Sequence, residues 1–252
     1  MKKKGERKEG RRERQGDRKG IQSKSNTVKY KGVGGALSVY NVTVGSTQYS
    51  ASEFTLLNGP DVIQFGLMAN SMLNKDNRTR MFQYLETRTS HCYDLLCPGF
   101  VSLRQDIPID AIVEPASKIG GPTYEYNMFA FQDPINGNWW LEVEKLGIVI
   151  GFWPRAIFSG LKSSAYYIAV GGEAYSLHNK PLPLMGNGYH PYCTNTNISL
   201  SAFCQGFVVV NTNSDIVNPE DTEIFSTSED YATFDLGVTP SWGRVICFGG
   251  PE

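Results

Sequence analysis

Cys92 and Cys97, five positions apart and followed by Pro98-Gly99, are the sharpest chemical signal in the chain. Such a thiol pair can close a small disulfide loop or contribute to a metal site. Zinc-binding pairs sit about two to four residues apart and need a second pair, which Cys193, Cys204 and Cys247 do not form. The disulfide is the stronger reading and implies an oxidising compartment. Closing so short a loop stabilises by only about 2 kcal/mol on the chain-entropy model, so its expected use is to pin the entry of a strand over 100–103. Glu142 and Glu144 lie beside Trp140, a grouping that would suit a carbohydrate-binding sandwich or a glycosidase. His91, His178 and His190 are the only histidines, and none has a Ser or Cys nucleophile motif beside it. His190-Pro191-Tyr192-Cys193 offers two ligands, which falls short of a metal site, and no glycine-rich phosphate loop is present. Neither a metal nor a cofactor is expected.

Strands must position these groups. The 26 Gly, 13 Tyr and 13 Phe favour turns and strands over helices. From Lys29 onward, strand-like runs recur with turn punctuation, among them 36–44, 53–57, 62–69, 124–132, 138–143, 166–176 and 244–249. Asn136-Gly137 between two aromatic-rich runs reads as a hairpin, because both residues tolerate positive φ. One short helix is expected over 154–161, with Pro154 suited to its first turn. The pattern predicts an all-β, antiparallel two-sheet β-sandwich of jelly-roll type. At 252 residues the chain divides into a basic disordered arm over 1–28 and one sandwich domain over 29–252.

Side chains alternate between the faces of a strand. Over 62–68, Ile63, Phe65 and Leu67 share one face, and Gln64, Gly66 and Met68 the other. Glu173 shares a face with Tyr167, Ala169, Gly171 and Tyr175, which makes the two tyrosines candidate substrate contacts. Trp139, Leu141 and Val143 form an apolar face, leaving Trp140 on the polar side as a candidate platform. An exposed aromatic covering a neighbour is the alternative for Trp140.

The net charge of −1 conceals an asymmetry: residues 1–24 carry 11 Lys/Arg against 4 Asp/Glu, and the remainder is net −8. The arm lacks aromatic residues for base stacking and is interspersed with acids, so nucleic acid is not the expected partner. No apolar run reaches the roughly 20 residues of a membrane span. No secretory signal can be read after Met1-Lys2-Lys3-Lys4. That stands against the disulfide and against three N-x-Ser/Thr sequons, at Asn41, Asn77 and Asn197, which act as glycosylation sites only on a secretory route.

Several collinear segments resemble the neprosin family of plant glutamic peptidases over roughly residues 30–252. They are Asp76-Asn77-Arg78-Thr79-Arg80, the run from Cys92 to Phe100, Gly137-Asn138-Trp139-Trp140-Leu141, Ile150-Gly151-Phe152-Trp153-Pro154, Gly171-Gly172-Glu173 and Phe248-Gly249-Gly250-Pro251. The resemblance implies a β-sandwich with a seven-stranded sheet whose concave face holds the substrate cleft. It also implies a secreted or vacuolar acid endopeptidase made with a propeptide and acting on peptides or proteins. The founding member cleaves after proline. Two acidic residues on adjacent strands carry the family's chemistry. One falls on Glu173; the other falls on Gln64, where this chain has an amide. Leu67 stands where a Trp is usual, Val170 where an aromatic is usual, and Thr233 where a half-cystine is usual.

Peptide hydrolysis needs a base for water and a donor for the oxyanion. The fungal glutamic peptidases look like a Gln/Glu pair, so Glu173 is expected as general base and Gln64 as oxyanion donor. The two should lie on neighbouring strands, on one face, about 3 Å from a shared water. Since an amide does not titrate, the upper pH limit of a two-carboxylate site is expected to vanish. Cys247 is expected free, its partner being absent at Thr233. A catalytically degenerate neprosin-like domain and a carbohydrate-binding sandwich are the alternatives, and the sequence leaves the oligomeric state open.

Overall fold

A computed structural model describes residues 16–177 and 180–251. In chain order the first strands are β1 (Gly16–Ser23), β2 (Gly32–Ser38), β3 (Gln48–Asn58), β4 (Asp61–Asn70), β5 (Arg80–Glu86) and β6 (His91–Tyr93). There follow β7 (Val101–Ser102), β8 (Glu125–Gln132), β9 (Trp139–Val143), β10 (Ile148–Trp153) and β11 (Tyr167–Ser176). The last are β12 (Ala202–Val210), β13 (Ile216–Val217), β14 (Thr222–Ser226), β15 (Ala232–Thr239) and β16 (Gly243–Gly249). All strand pairings are antiparallel. One sheet runs β14-β1-β11-β3-β4-β5-β6; the other runs β15-β16-β12-β2-β8-β9-β10-β7, with β13 beside β12. The expected two-sheet sandwich is what the chain forms.

Alternation builds the core between the sheets. Ile63, Phe65 and Leu67 of β4 are buried there, as are Trp139, Leu141 and Val143 of β9. Phe54 stacks on its cross-strand partner Phe65 at 5.3 Å within the seven-stranded sheet, and two aromatic contacts cross the gap: Phe54 meets Phe207 at 6.5 Å and Phe65 meets Trp153 at 6.5 Å. Leu67 and Val170, two of the departures from the family pattern, both face this core. They therefore alter packing behind the seven-stranded sheet, not its open face.

The arm expectation needs correction. Gly16–Ser23 is a strand between β11 and β14, with Ile21 fully buried. Lys19 is also buried and donates to Ser226 Oγ and the Ser228 carbonyl oxygen. Charge density alone suggested a solvated tail, but these cations have partners on a sequence-distant strand. Residues 1–15 lie outside the described residues.

The helix over 154–161 shortens to a 3-10 turn, Arg155–Ile157. The next backbone N–H groups turn elsewhere: those of Ser159, Gly160 and Leu161 donate to the buried Asp61 carboxylate at 2.6, 2.5 and 3.1 Å. A second short helix, α1 (Ser71–Asn74), is capped by Asn70, whose side chain accepts from Met72 and Leu73.

Cys92 and Cys97 are bonded. Their loop connects β6 of one sheet to β7 of the other, and Phe100 at its exit packs on Trp153 at 4.9 Å. Gln83 joins the same junction, accepting from Trp153 Nε1 at 3.0 Å and donating through its own Nε2 to the Asp94 carbonyl oxygen. Contrary to expectation, Cys247 is bonded to Cys193, and the buried Cys204 is the free thiol. The partner comes from the loop before β12, so the vacant position at Thr233 does not decide the matter.

Candidate active site

The open face of the seven-stranded sheet is assembled by register. On β11, Glu173 pairs with Arg18 of β1 on one side and Ala51 of β3 on the other. Glu53 pairs with Gly171 of β11 and Gly66 of β4, and Gln64 pairs with Thr55. Residues two apart share a face, so Arg18, Glu173, Glu53 and Gln64 all project to one side. The residue between Glu173 and Gln64 is Glu53.

Two expectations therefore change in detail. Gln64 and Glu173 do share a face, but their strands are not neighbours; β3 runs between β4 and β11. The position assigned to a bridging water is crossed by a strand that presents a carboxylate of its own. Glu53 has no recognisable motif around it, and its parity partner Thr55 gives no warning. A two-residue turn at Gly59-Pro60 was the available signal: it sets Glu53 opposite Gly66 and one diagonal step from Gln64.

The polar contacts are specific. Tyr49 Oη donates to Glu173 Oε1 at 2.6 Å, and Arg18 Nε donates to Glu173 Oε2 at 2.8 Å. A second Arg18 nitrogen, Nη2, lies 2.8 Å from the same oxygen. Gln64 Nε2 donates to Glu53 Oε1 at 2.7 Å, and both side chains are buried. Burial raises the Glu53 carboxyl above its ordinary range; the Glu173 carboxylate, close enough to share a proton, adds to this, while Arg18 and the Gln64 amide oppose it. Burial opposes the Arg18 cation, but Glu173 and Glu53 more than offset it. Burial and then Glu173 hold the Tyr49 phenol well above its usual range, so it stays a donor.

Glycines clear the row around Glu53. A Cβ on Gly20, Gly171 or Gly66 would collide with the backbone carbonyl oxygens of Val170, Lys19 and Ser52 respectively. No side chain can therefore stand on either flank of Glu53 along that row. A small depression of about 20 Å³ opens beside it, lined by Arg18, Glu53, Thr55, Tyr167 and Phe225. On the other side of Glu173, Tyr49 stacks on Tyr175 with ring centroids 5.1 Å apart.

Of the expected substrate contacts, Tyr167 and Tyr175 lie on this face; Tyr167 Oη donates to Gln22 at 3.0 Å. Trp140 does not. It belongs to β9 in the opposite sheet, pairs with Phe131 and Phe152, and packs on the Phe152 ring at 4.8 Å. Its alternation with the buried Trp139 turns it to the outer face of that sheet. A tryptophan leaning on a neighbouring ring is the covering role, so the grouping with Glu142 loses its free platform. Asn41, Asn77 and Asn197 are exposed. His91 and His190 are exposed as well, and His178 lies outside the described residues. Among the described residues, no three His, Cys, Asp or Glu side chains gather as metal ligands.

A family model described as Neprosin matches residues 46–251. The fold is similar to that of scytalido-glutamic peptidase solved with a transition state analog inhibitor. That comparison has 12% identity and a TM-score of 0.52, over 93% of this chain and 98% of that one. A second structure of scytalido-glutamic peptidase, with a peptide-based transition state analog, aligns over the same shares at 12% identity and a TM-score of 0.51. The chain has a glutamic-type peptidase fold.

Proposed function

The chain belongs to the neprosin family, and we propose that it is an acid glutamic-type endopeptidase with Glu173 as general base and Gln64 as oxyanion donor. The observation that carries this reading is the convergence of Glu173, Gln64 and Glu53 on one sheet face, with Glu173 oriented by Tyr49 and Arg18. An amide has two N–H groups. Gln64 gives one to Glu53, leaving the other for the oxyanion of a tetrahedral intermediate. A peptide strand lying over Gly20, Gly171 and Gly66 would meet backbone without side-chain obstruction, flanked by Tyr167 and Tyr175. The substrate is a peptide or protein, as in the inhibitor and analog complexes of the similar peptidase. Cleavage after proline and a secreted or vacuolar plant setting are part of the proposal. The two disulfides and three exposed sequons support the compartment.

The test is digestion of a proline-containing peptide library by the correctly processed protein across acid to alkaline pH, with mass-spectrometric readout. Cleavage that is abolished by Glu173→Gln supports the assignment. A folded, processed protein that hydrolyses nothing at any pH overturns it in favour of a degenerate domain.

A further inference from the structure

The amide at position 64 leaves the site one carboxylate short only if the family's second acid has no replacement. Glu53 stands on the strand between the other two groups, bonded to Gln64 at 2.7 Å and within proton-sharing reach of Glu173. Its face of the sheet is theirs, and its flanks are bare glycine. A carboxylate this buried is costly to the fold unless it is paired. Here the paired cation, Arg18, is committed to Glu173 by both of its contacts. Beyond Arg18 and the phenols of Tyr49 and Tyr167, what faces Glu53 is a second carboxylate and an amide.

We propose that Glu53 is the second catalytic carboxylate of this site, supplying from β3 the acid that Gln64 leaves absent on β4. The proposal rests on the peptidase reading above and deepens it. In the step it describes, Glu173 takes a proton from water as the water oxygen bonds to the scissile carbonyl carbon, and the carbonyl π pair moves to oxygen. Gln64 Nε2 donates to that oxyanion. On collapse the carbonyl re-forms, the C–N bond breaks, and its electron pair takes the Glu53 proton, releasing amine and carboxylic acid. The proton on Glu173 then passes to Glu53, which restores the starting state. The groups facing Glu53 are Arg18 on β1, Glu173 and Tyr167 on β11, Tyr49 on its own strand and Gln64 on β4. Of these only Glu173 is a second carboxyl.

The test moves the acid between the two strands. Glu53→Gln should lower kcat/KM by about 100-fold or more, the usual scale of a lost acid–base group, with unchanged circular dichroism. Adding Gln64→Glu to it moves the acid to the family's own position and should restore activity to within about tenfold. Glu53→Gln with wild-type rates and pH profile overturns the proposal. So does a loss that the double variant fails to recover, which marks Glu53 as packing alone. A readout independent of activity separates this from failure of the peptidase reading: carbon-13 NMR titration of labelled glutamate, assigned with Glu53→Gln. If wild-type protein hydrolyses nothing, the peptidase reading falls. In that case a Glu53 carboxyl that titrates like free glutamate removes the proton-sharing pair as well, whereas one that keeps its proton above pH 4.5 preserves it.

Discussion

Gln64 donates its amide to Glu53 across the β3–β4 pair at 2.7 Å, both side chains withdrawn from solvent. The contact joins the one residue that departs from the family's carboxylate pattern to an acid that no motif announces. It changes the expected pH behaviour. With Gln64 alone as donor, no group would titrate on the alkaline side; with Glu53 in the step, its deprotonation brings an upper limit back. Peptidase activity is therefore expected to fall toward alkaline pH, and a rate that stays level there would count against Glu53 as the acid.

Stability should carry the same signature. The Glu53 carboxyl is raised above its ordinary 4.5 by burial and by Glu173, so the folded state holds its proton more tightly than the unfolded chain. Its contribution is full below pH 4.5 and is lost as pH rises toward the folded value. Glu53→Gln removes that loss. The variant should gain on wild type with rising pH, by at most about 1.4 kcal/mol per pH unit, in denaturant titrations at a series of pH values.

Tyr49→Phe deletes the 2.6 Å donor to Glu173 and keeps the ring that stacks on Tyr175. A hydrogen bond to a charged group is worth about 1.5–3 kcal/mol. kcat should fall about tenfold or more with little change in KM. A KM effect with kcat intact would assign Tyr49 to substrate binding instead.

Gly171→Ala puts a methyl group into the Lys19 carbonyl oxygen and the Gly20 Cα of the adjoining strand. The expected outcome is detachment of β1, and with it loss of the Arg18 contact to Glu173. Limited trypsin digestion reads this directly: cleavage after Arg18 or Lys19 should be slow in wild type and fast in the variant.

The disulfides predict unequal losses. The Cys193–Cys247 bridge closes a separation of 54 residues and Cys92–Cys97 one of 5. On the chain-entropy model their removal costs about 4 and about 2 kcal/mol respectively. Alkylation of the oxidised protein should find one thiol, Cys204, and only after denaturation, because that side chain is fully buried. A Cys247 that alkylates would return the cysteine reading to the one drawn from Thr233.

Trp140→Ala should leave peptide hydrolysis unchanged, since Trp140 lies on the sheet opposite the cleft and packs on Phe152. A loss of kcat/KM in a protein of normal melting temperature would restore it to the substrate surface.

Sequence by itself determined the parts of this protein that depend on local periodicity. Alternation in β4 and β11 put Gln64 and Glu173 on open faces and Phe65 and Leu67 in the core, because a strand's side chains have a fixed period of two. The spacing of Cys92 and Cys97 announced their bridge for the same reason, both partners lying within one short turn. Tertiary structure decided what depends on which strands become neighbours. Trp140 obeyed its parity and still faced the wrong side of the molecule, since parity assigns a face and not a sheet. Arg18 of β1 found a carboxylate 155 residues away at Glu173, Cys247 found Cys193, and β3 inserted Glu53 between β4 and β11. Each is a long-range pairing whose register is set by the packed core, and no window of sequence contains both partners.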